Sequence, residues 1–586
     1  SLSAMSPLMV HTMTQTQTTT QTTSPSSDIF AQFRGMFMWP EVQLLGALLL
    51  VVFIARLFRK TDKLADARWA DRAAIRHARR KAKAQIKNRQ LAKTALYLGD
   101  PKQYPIPDAQ QGISVVGVLD SGKTTSAIDQ LIRSGLEQGF TSFVYDVKAE
   151  QLAKHAAYAL SLGYQLHCLA PGMPWSGCFD PIEFLRDEYD ATMARQIAAT
   201  INRNMMGSSK KDDFFGPAAD SLMETVLLLA KGSAYPDFLM AWAILSLPNL
   251  ARRLASAQGS QSLDLWAQVA ATTTVSVAEA EKTVAGIVGG AVNAFRSFIA
   301  RDLLPSIVGT STIPLQMDGK HIVFFQVDEE RSAVCAPLCA LMLRMFMLAN
   351  LNNQFKRKTP LCVFLDECTS AYFPDLDVDL NLRRSYGLVA VLGYQGRSQL
   401  RDRYGSEKAR SIETGTVQKL IFKTTDEEHQ QALSRSLGEK EAKIESRSYG
   451  SSSRSRSENI HKIPLFPAHK FAQLDQGEMI LINSGYKSRR QASLPLHIPK
   501  VKIKPQTFEL EQRCLEKFET TIRPRMIHNA QSSGLRLEDE ALRTALIDRM
   551  AYADMILPEP AEVQAAQSAP EQAQEQAQPK EVLNAG

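Results

Sequence analysis

Gly117-Val118-Leu119-Asp120-Ser121-Gly122-Lys123-Thr124 spaces two glycines, a lysine and a hydroxyl residue as a phosphate-binding loop does. In such a loop Lys123 reaches the β- and γ-phosphates and the Thr124 hydroxyl holds Mg²⁺. Gly117, Asp120, Ser121, Gly122 and Thr125 complete the cradle of backbone N–H groups around the anion. About 240 residues later, Leu361-Cys362-Val363-Phe364-Leu365 runs into Asp366 and Glu367. An apolar strand would deliver Asp366 rigidly to the Mg²⁺, and Glu367 could take a proton from attacking water. The two stretches together predict ATP and Mg²⁺ as ligands.

The elements around them fit. Ile113-Ser114-Val115-Val116 is an apolar, β-branched run ahead of the loop, and Ala127, Ile128, Leu131 and Ile132 behind it have helical spacing. A helix N-terminus then faces the phosphates. Further strands are predicted at Thr141 to Asp146, Gln165 to Leu169, His321 to Val327, Leu361 to Asp366, Leu388 to Tyr394, Val417 to Lys423 and Met479 to Asn483. Strands alternating with helices indicate an α/β protein with a parallel, doubly wound sheet. Helical periodicity alone occupies Ala191 to Asn204, Pro217 to Lys231 and Ser276 to Arg301, an all-α insertion.

The predicted organisation is therefore a nucleotide-binding domain in two parts, residues 108–184 and 311–500, around an all-α domain at 185–310. Phe508 to Leu557 reads as amphipathic helix within a helical region at 501–557. The Thr/Gln/Ser-rich residues 1–35 and the Ala/Gln/Pro/Glu-rich tail 558–586 read as disordered, and Tyr449 to Ser457 as a mobile polar loop. Residues 36–58 are apolar except for Glu41, Gln43 and the terminal Arg56, long enough to cross a bilayer. Between Arg56 and Lys93 stand fourteen Lys/Arg against three Asp, a local +11 in a chain of net charge +7. That bias places the bulk of the chain in the cytoplasm. Lys60 to Leu98 lacks Gly and Pro and predicts one long basic helix within 59–107, against lipid headgroups or nucleic acid, followed by a linker from Gly99 to Pro107. The seven cysteines form no C-x-x-C pair, which fits a reduced body without a zinc site.

In order along the chain, further segments resemble one family. Asp146-Val147-Lys148-Ala149-Glu150 is similar to that family's Asp-x-Lys-Gly-Glu, with Ala149 in place of Gly. Asp213-Phe214-Phe215 with Ala218-Ala219 resembles the entry to its all-α domain. Tyr394-Gln395-Gly396-Arg397-Ser398-Gln399-Leu400 with Tyr404-Gly405, then Leu433 to Gly438 and Leu474 to Ser484, continue the series. The family is that of the type IV coupling proteins, the TraG/TraD-like ATPases of conjugation and type IV secretion. The resemblance implies a RecA-like ATPase interrupted by an all-α domain and assembled as a homo-hexamer on the bacterial inner membrane. It implies delivery of DNA, single-stranded and with its relaxase, or of effector proteins, to the inner-membrane components of a secretion channel. Carried over, Lys123 and Thr124 bind nucleotide and Mg²⁺, Asp366 binds Mg²⁺, Glu367 is the base, Gln395 senses the γ-phosphate and Arg384 is the arginine finger, with Arg383 beside it.

Two features depart from the family. Asp120 stands where it usually has Gly, bringing a negative charge toward the phosphates. One apolar span is present where the family commonly has two. Two other readings remain: a related translocase or secretion-assembly ATPase, and a substrate-docking receptor with little turnover.

Overall fold

The computed structural model describes residues 65–100, 102–206, 215–449, 454–489, 491–532 and 539–560, together with Leu44, Ala47, Leu48 and Val51. Those four residues are helical and exposed. The rest of the span expected at 36–58 lies outside the described residues, as do residues 1–35, 561–586 and Asp213-Phe214. Residues 1–64 and 65–586 are separate units.

Thirteen strands occur among the described residues. They are β1 (Leu96–Leu98), β2 (Tyr104–Ile106), β3 (Ile113–Val116), β4 (Thr141–Asp146), β5 (Gln165–Leu169), β6 (His321–Gln326), β7 (Leu361–Leu365), β8 (Leu388–Tyr394), β9 (Gln418–Ile421), β10 (Glu439–Tyr449), β11 (Arg454–Pro464), β12 (Met479–Ile482) and β13 (Leu496–Ile498). Nine of them form one sheet in the order β13-β12-β9-β3-β8-β7-β4-β6-β5. From β9 to β5 all neighbours are parallel, whereas β12 runs antiparallel to both β9 and β13. The expected all-parallel sheet is thus mixed at one edge.

Both faces of the sheet's central strands are buried, so β7 and β8 are apolar on both sides rather than alternating. On β4, Phe143 and Tyr145 join one core while Val144 joins the other; on β6, Val323 and Phe325 oppose Ile322 and Phe324. The first core continues into helices Ala191–Met206, Phe215–Lys231, Phe238–Leu245, Leu250–Gly259, Leu265–Ser276 and Glu281–Arg296, all between β5 and β6. Helix Ser332–Asn350 has a mean hydropathy of 1.8 and is long enough to span a bilayer, but its apolar window is 67% buried in this core. The second face is covered by helices Asp129–Glu137, Gln151–Ser161 and Pro505–Lys517.

Three local expectations are corrected. Of the basic helix expected from Lys60 to Leu98, residues 60–64 lie outside the described residues, and among the described ones it covers only Arg72–Asn88. Upstream, the Ala67 and Ala70 N–H groups donate to the Glu439 and Pro495 carbonyls, and this pairing holds the chain extended. The Asp71 side chain then caps the helix by accepting from the Ala74 N–H at 2.8 Å, and Arg89, at φ 45°, ends it. Its Ala74, Ala78 and Ala82 stripe is buried, and Lys81 pairs with Asp108. The Gly99–Pro107 linker contains β2, paired antiparallel with β1. Of the expected loop Tyr449 to Ser457, residues 450–453 lie outside the described residues, whereas Arg454 to Ser457 belong to β11, with Tyr449 opposite Arg454 and Arg447 opposite Arg456. Backbone hydrogen bonds make that ladder, so no apolar alternation announces it.

Candidate nucleotide site

Strand β3 ends at the sheet's point of reversal, where the loop emerges among the carboxyl ends of the parallel strands, the place at which open α/β sheets bind ligands. The Gly117 N–H donates to the Tyr394 carbonyl at 3.2 Å and the Val118 N–H to the Lys423 carbonyl at 2.9 Å, tying the loop to β8 and to the segment after β9. A β-carbon on Gly117 would lie 2.6 Å from the Ser121 hydroxyl oxygen and 2.7 Å from Phe422 Cβ. Gly122 sits at φ +88°, and a β-carbon there would come 2.8 Å from the Gly477 nitrogen. Both glycines are therefore demanded by close approach. Ser121 Oγ donates to the Val118 carbonyl at 2.7 Å, and the Gly477 N–H donates to the Ser121 carbonyl at 2.9 Å. Leu119 and Asp120 form the exposed apex. Asp120 holds φ 59°, left-handed backbone that Gly takes freely and Asp tolerates better than most residues.

After Gly122 the chain enters a helix that opens with one wide turn, the Asp129 N–H donating to the Thr124 carbonyl. Thr124 is half-buried and Thr125 exposed. Lys123 is 9% exposed, with Nζ 3.5 Å from the Tyr394 carbonyl and 3.9 Å from Glu367 Oε2. Burial draws its ammonium below the usual lysine range, while Glu367 and Asp366 pull the other way.

Asp366 and Glu367 follow β7 directly. In the sheet β8 lies between β3 and β7. That arrangement works because Gly393 has no side chain: a β-carbon there would fall 2.0 Å from the Asp366 carbonyl oxygen. Burial, reinforced by the charge of Asp129, pushes the Asp366 carboxyl up to about 6 against the pull of Lys123. The Thr124 hydroxyl and the Asp366 carboxylate are hard oxygen donors of the kind Mg²⁺ takes, and this local surplus of negative charge suits a cation. The loop, in turn, leads straight into the N-terminus of a helix, whose N–H groups and dipole favour an anion. The residues present fit a nucleotide with its metal.

Gln395, just after β8, donates from Nε2 to Glu367 Oε2 at 3.4 Å. Lys123, Glu367 and Gln395 are thus brought together in one chain. Arg384 is not. It precedes β8 and lies at the opposite end of that strand, roughly 23 Å away at about 3.3 Å per residue. There it donates to the carbonyls of Leu380 at 2.8 Å and Gly415 at 2.9 Å. Arg383 beside it is held by Asp379 and the Leu351 carbonyl. Ala149, in the turn after β4, sits at φ 56°, and Asp146 pins that turn by accepting from the Glu150 and Leu152 N–H groups. Sequence reasoning missed Gly393, Gly477 and Thr369, whose Oγ1 donates to Glu367 Oε1 at 2.5 Å. It named Gln399 without giving it a role; Gln395 precedes the helix Arg397–Tyr404 that carries Gln399.

A family model described as Type IV secretory system Conjugative DNA transfer matches residues 65–493. The chain belongs to this family. A probable conjugal transfer protein TraG of Sinorhizobium fredii is 24% identical over 382 residues, covering 62% of this chain and 58% of that protein. The chain thus spans less than two thirds of that relative's length. Among solved structures, plasmid coupling protein TrwB in complex with ADP and Mg2+ is similar with a TM-score of 0.50 and 18% identity, over 69% of this chain and 88% of that one. At that identity the likeness is one of fold.

Proposed function

We propose that this coupling-protein family member is an ATPase that drives DNA, with its relaxase, or effector proteins into a type IV secretion channel. The observation that carries the reading is the convergence of Lys123, Glu367 and Gln395 at the carboxyl ends of the parallel strands. ATP with Mg²⁺ is the nucleotide, a choice supported by the TrwB complex with ADP and Mg2+. Backbone N–H groups from Gly122 to Thr125 and the Lys123 ammonium bind and orient the phosphates, while the Gly117 and Val118 N–H groups tie the loop to the sheet, and Thr124 and Asp366 hold the metal. The metal, when bound, supplies charge neutralisation at the transferring phosphoryl group. Glu367 holds the attacking water and accepts its proton. Gln395, in contact with that carboxylate, reports the γ-phosphate. In this reading residues 185–310 form an all-α domain inserted into the nucleotide-binding domain of 108–184 and 311–500. Residues 36–58 anchor the chain in the inner membrane by a single pass, and six copies form a ring.

ATP turnover with and without single-stranded DNA tests the proposal, with Lys123→Ala as control. Turnover that DNA stimulates and Lys123→Ala abolishes is expected. Asp120 favours the rival reading, a docking receptor, by placing an anion at the loop apex. Nucleotide binding without turnover, with substrate transfer intact in Lys123→Ala, would establish that rival.

A further inference from the structure

Helix Arg397–Tyr404 leaves β8 just beyond the site and turns Gln399 and Arg403 toward the same open cavity as Gln395, at successive four-residue steps. The cavity, about 420 Å³, is also lined by Glu367, Thr369 and Ser370. Two hydrogen-bonded arms run from this helix to Glu367. In one, Gln399 Nε2 donates to Gln395 Oε1 at 3.2 Å, and Gln395 Nε2 donates to Glu367 Oε2 at 3.4 Å. In the other, Arg403 Nε donates to the Thr369 carbonyl at 2.8 Å, and Thr369 Oγ1 donates to Glu367 Oε1.

The polarity of the first arm follows from chemistry. An ionised carboxylate only accepts, so Gln395 must turn its NH₂ to Glu367 and its carbonyl oxygen away. That oxygen then needs a donor, and Gln399 is the group that meets it. Thr369 likewise spends its only proton on the other carboxylate oxygen. Both oxygens of the carboxylate are thereby held from one helix, itself seated on the core through Leu400 and Tyr404.

Resting on the assignment of Glu367 as base, we infer that Gln399 and Thr369 are positioning residues that orient this carboxylate, with helix Arg397–Tyr404 as their shared platform. Neither touches nucleotide in this scheme; each acts through Glu367.

Steady-state ATP hydrolysis by the full chain tests this. Gln399→Glu replaces a donor by an acceptor, so Gln395 must rotate its amide and present oxygen to Glu367. It should lower kcat roughly tenfold, the effect expected for a lost hydrogen bond to a charged group, with KM and nucleotide affinity unchanged. Gln399→Met, which removes the polarity without reversing it, should cost less. Thr369→Val should lower kcat alone and Thr369→Ser should restore it. In the Glu367→Gln background, Gln399→Glu should have no further effect, a result that merely structural damage would not give. Gln399→Glu equal in activity to Gln399→Met, or a loss of affinity as large as the loss of kcat, would overturn the inference. Should Glu367→Gln abolish turnover while Gln399→Glu and Thr369→Val leave kcat unchanged, the positioning role fails and the base assignment stands. Full turnover by Glu367→Gln would sink the base assignment, and the positioning role with it.

Discussion

Replacing Glu367 by Gln separates binding from chemistry in a way the geometry makes quantitative. The carboxylate lies 3.9 Å from Lys123 Nζ, and the two side chains are 22% and 10% exposed. At an effective dielectric near 20 that separation corresponds to about 4 kcal/mol of gross attraction, offset in part by desolvation. Glu367→Gln therefore leaves a buried ammonium without its partner in the nucleotide-free protein. The apparent melting temperature without nucleotide should fall. Phosphates then supply the missing negative charge, so ATP should raise the melting temperature more in the variant than in the parent. Affinity should be equal or tighter, because an anion has been removed from beside the phosphates. Packing should survive: the Gln amide can give its oxygen to Gln395 Nε2 and its NH₂ to the Thr369 hydroxyl oxygen. Turnover should nevertheless drop about 10²–10⁴-fold through loss of the base. Thermal shift, nucleotide titration and single-turnover hydrolysis on one preparation read all three quantities. Loss of ATP binding in step with loss of turnover would refute the reasoning, as would hydrolysis at the parental rate.

Gly393→Ala sets a β-carbon against the Asp366 carbonyl at 2.0 Å, so β7 and β8 must separate; Mg²⁺-dependent nucleotide binding should be lost, checked by titration with and without the metal. Ala149→Gly relieves a β-carbon at φ 56° and should stabilise the fold by about 0.5–1 kcal/mol, read as a higher denaturation midpoint at unchanged slope; a lower midpoint would show the turn to be unstrained. Arg384→Ala should bind ATP yet hydrolyse it slowly, by up to about 10³–10⁵-fold for an arginine finger supplied by a neighbour. Mixed with Lys123→Ala before assembly, roughly a quarter of interfaces would pair an intact Lys123 with an intact Arg384 and regain activity. Absence of regain in demonstrated mixed rings would turn attention to Arg383.

What the chain declares locally, the sequence shows by itself. The loop from Gly117 to Thr124 and the strand ahead of Asp366 are legible because glycine spacing, β-branched runs and a terminal carboxylate act within one turn or strand. Parallel strands such as β7 and β8 are legible for the same reason, since burial on both faces makes each a nearly continuous apolar run. The start of the basic helix at Arg72 is different. It depends on backbone groups of Glu439 and Pro495, hundreds of residues away, that hold Ala67 and Ala70 extended. The β10–β11 ladder carries no apolar period and exists through backbone pairing alone. Only the sheet order decides that β8 separates β3 from β7, which puts Gln395 against Glu367, makes Gly393 indispensable and sends Arg384 to the far end of the sheet. Such adjacencies are long-range choices among strands of nearly equal apolar character, and packing in three dimensions makes them.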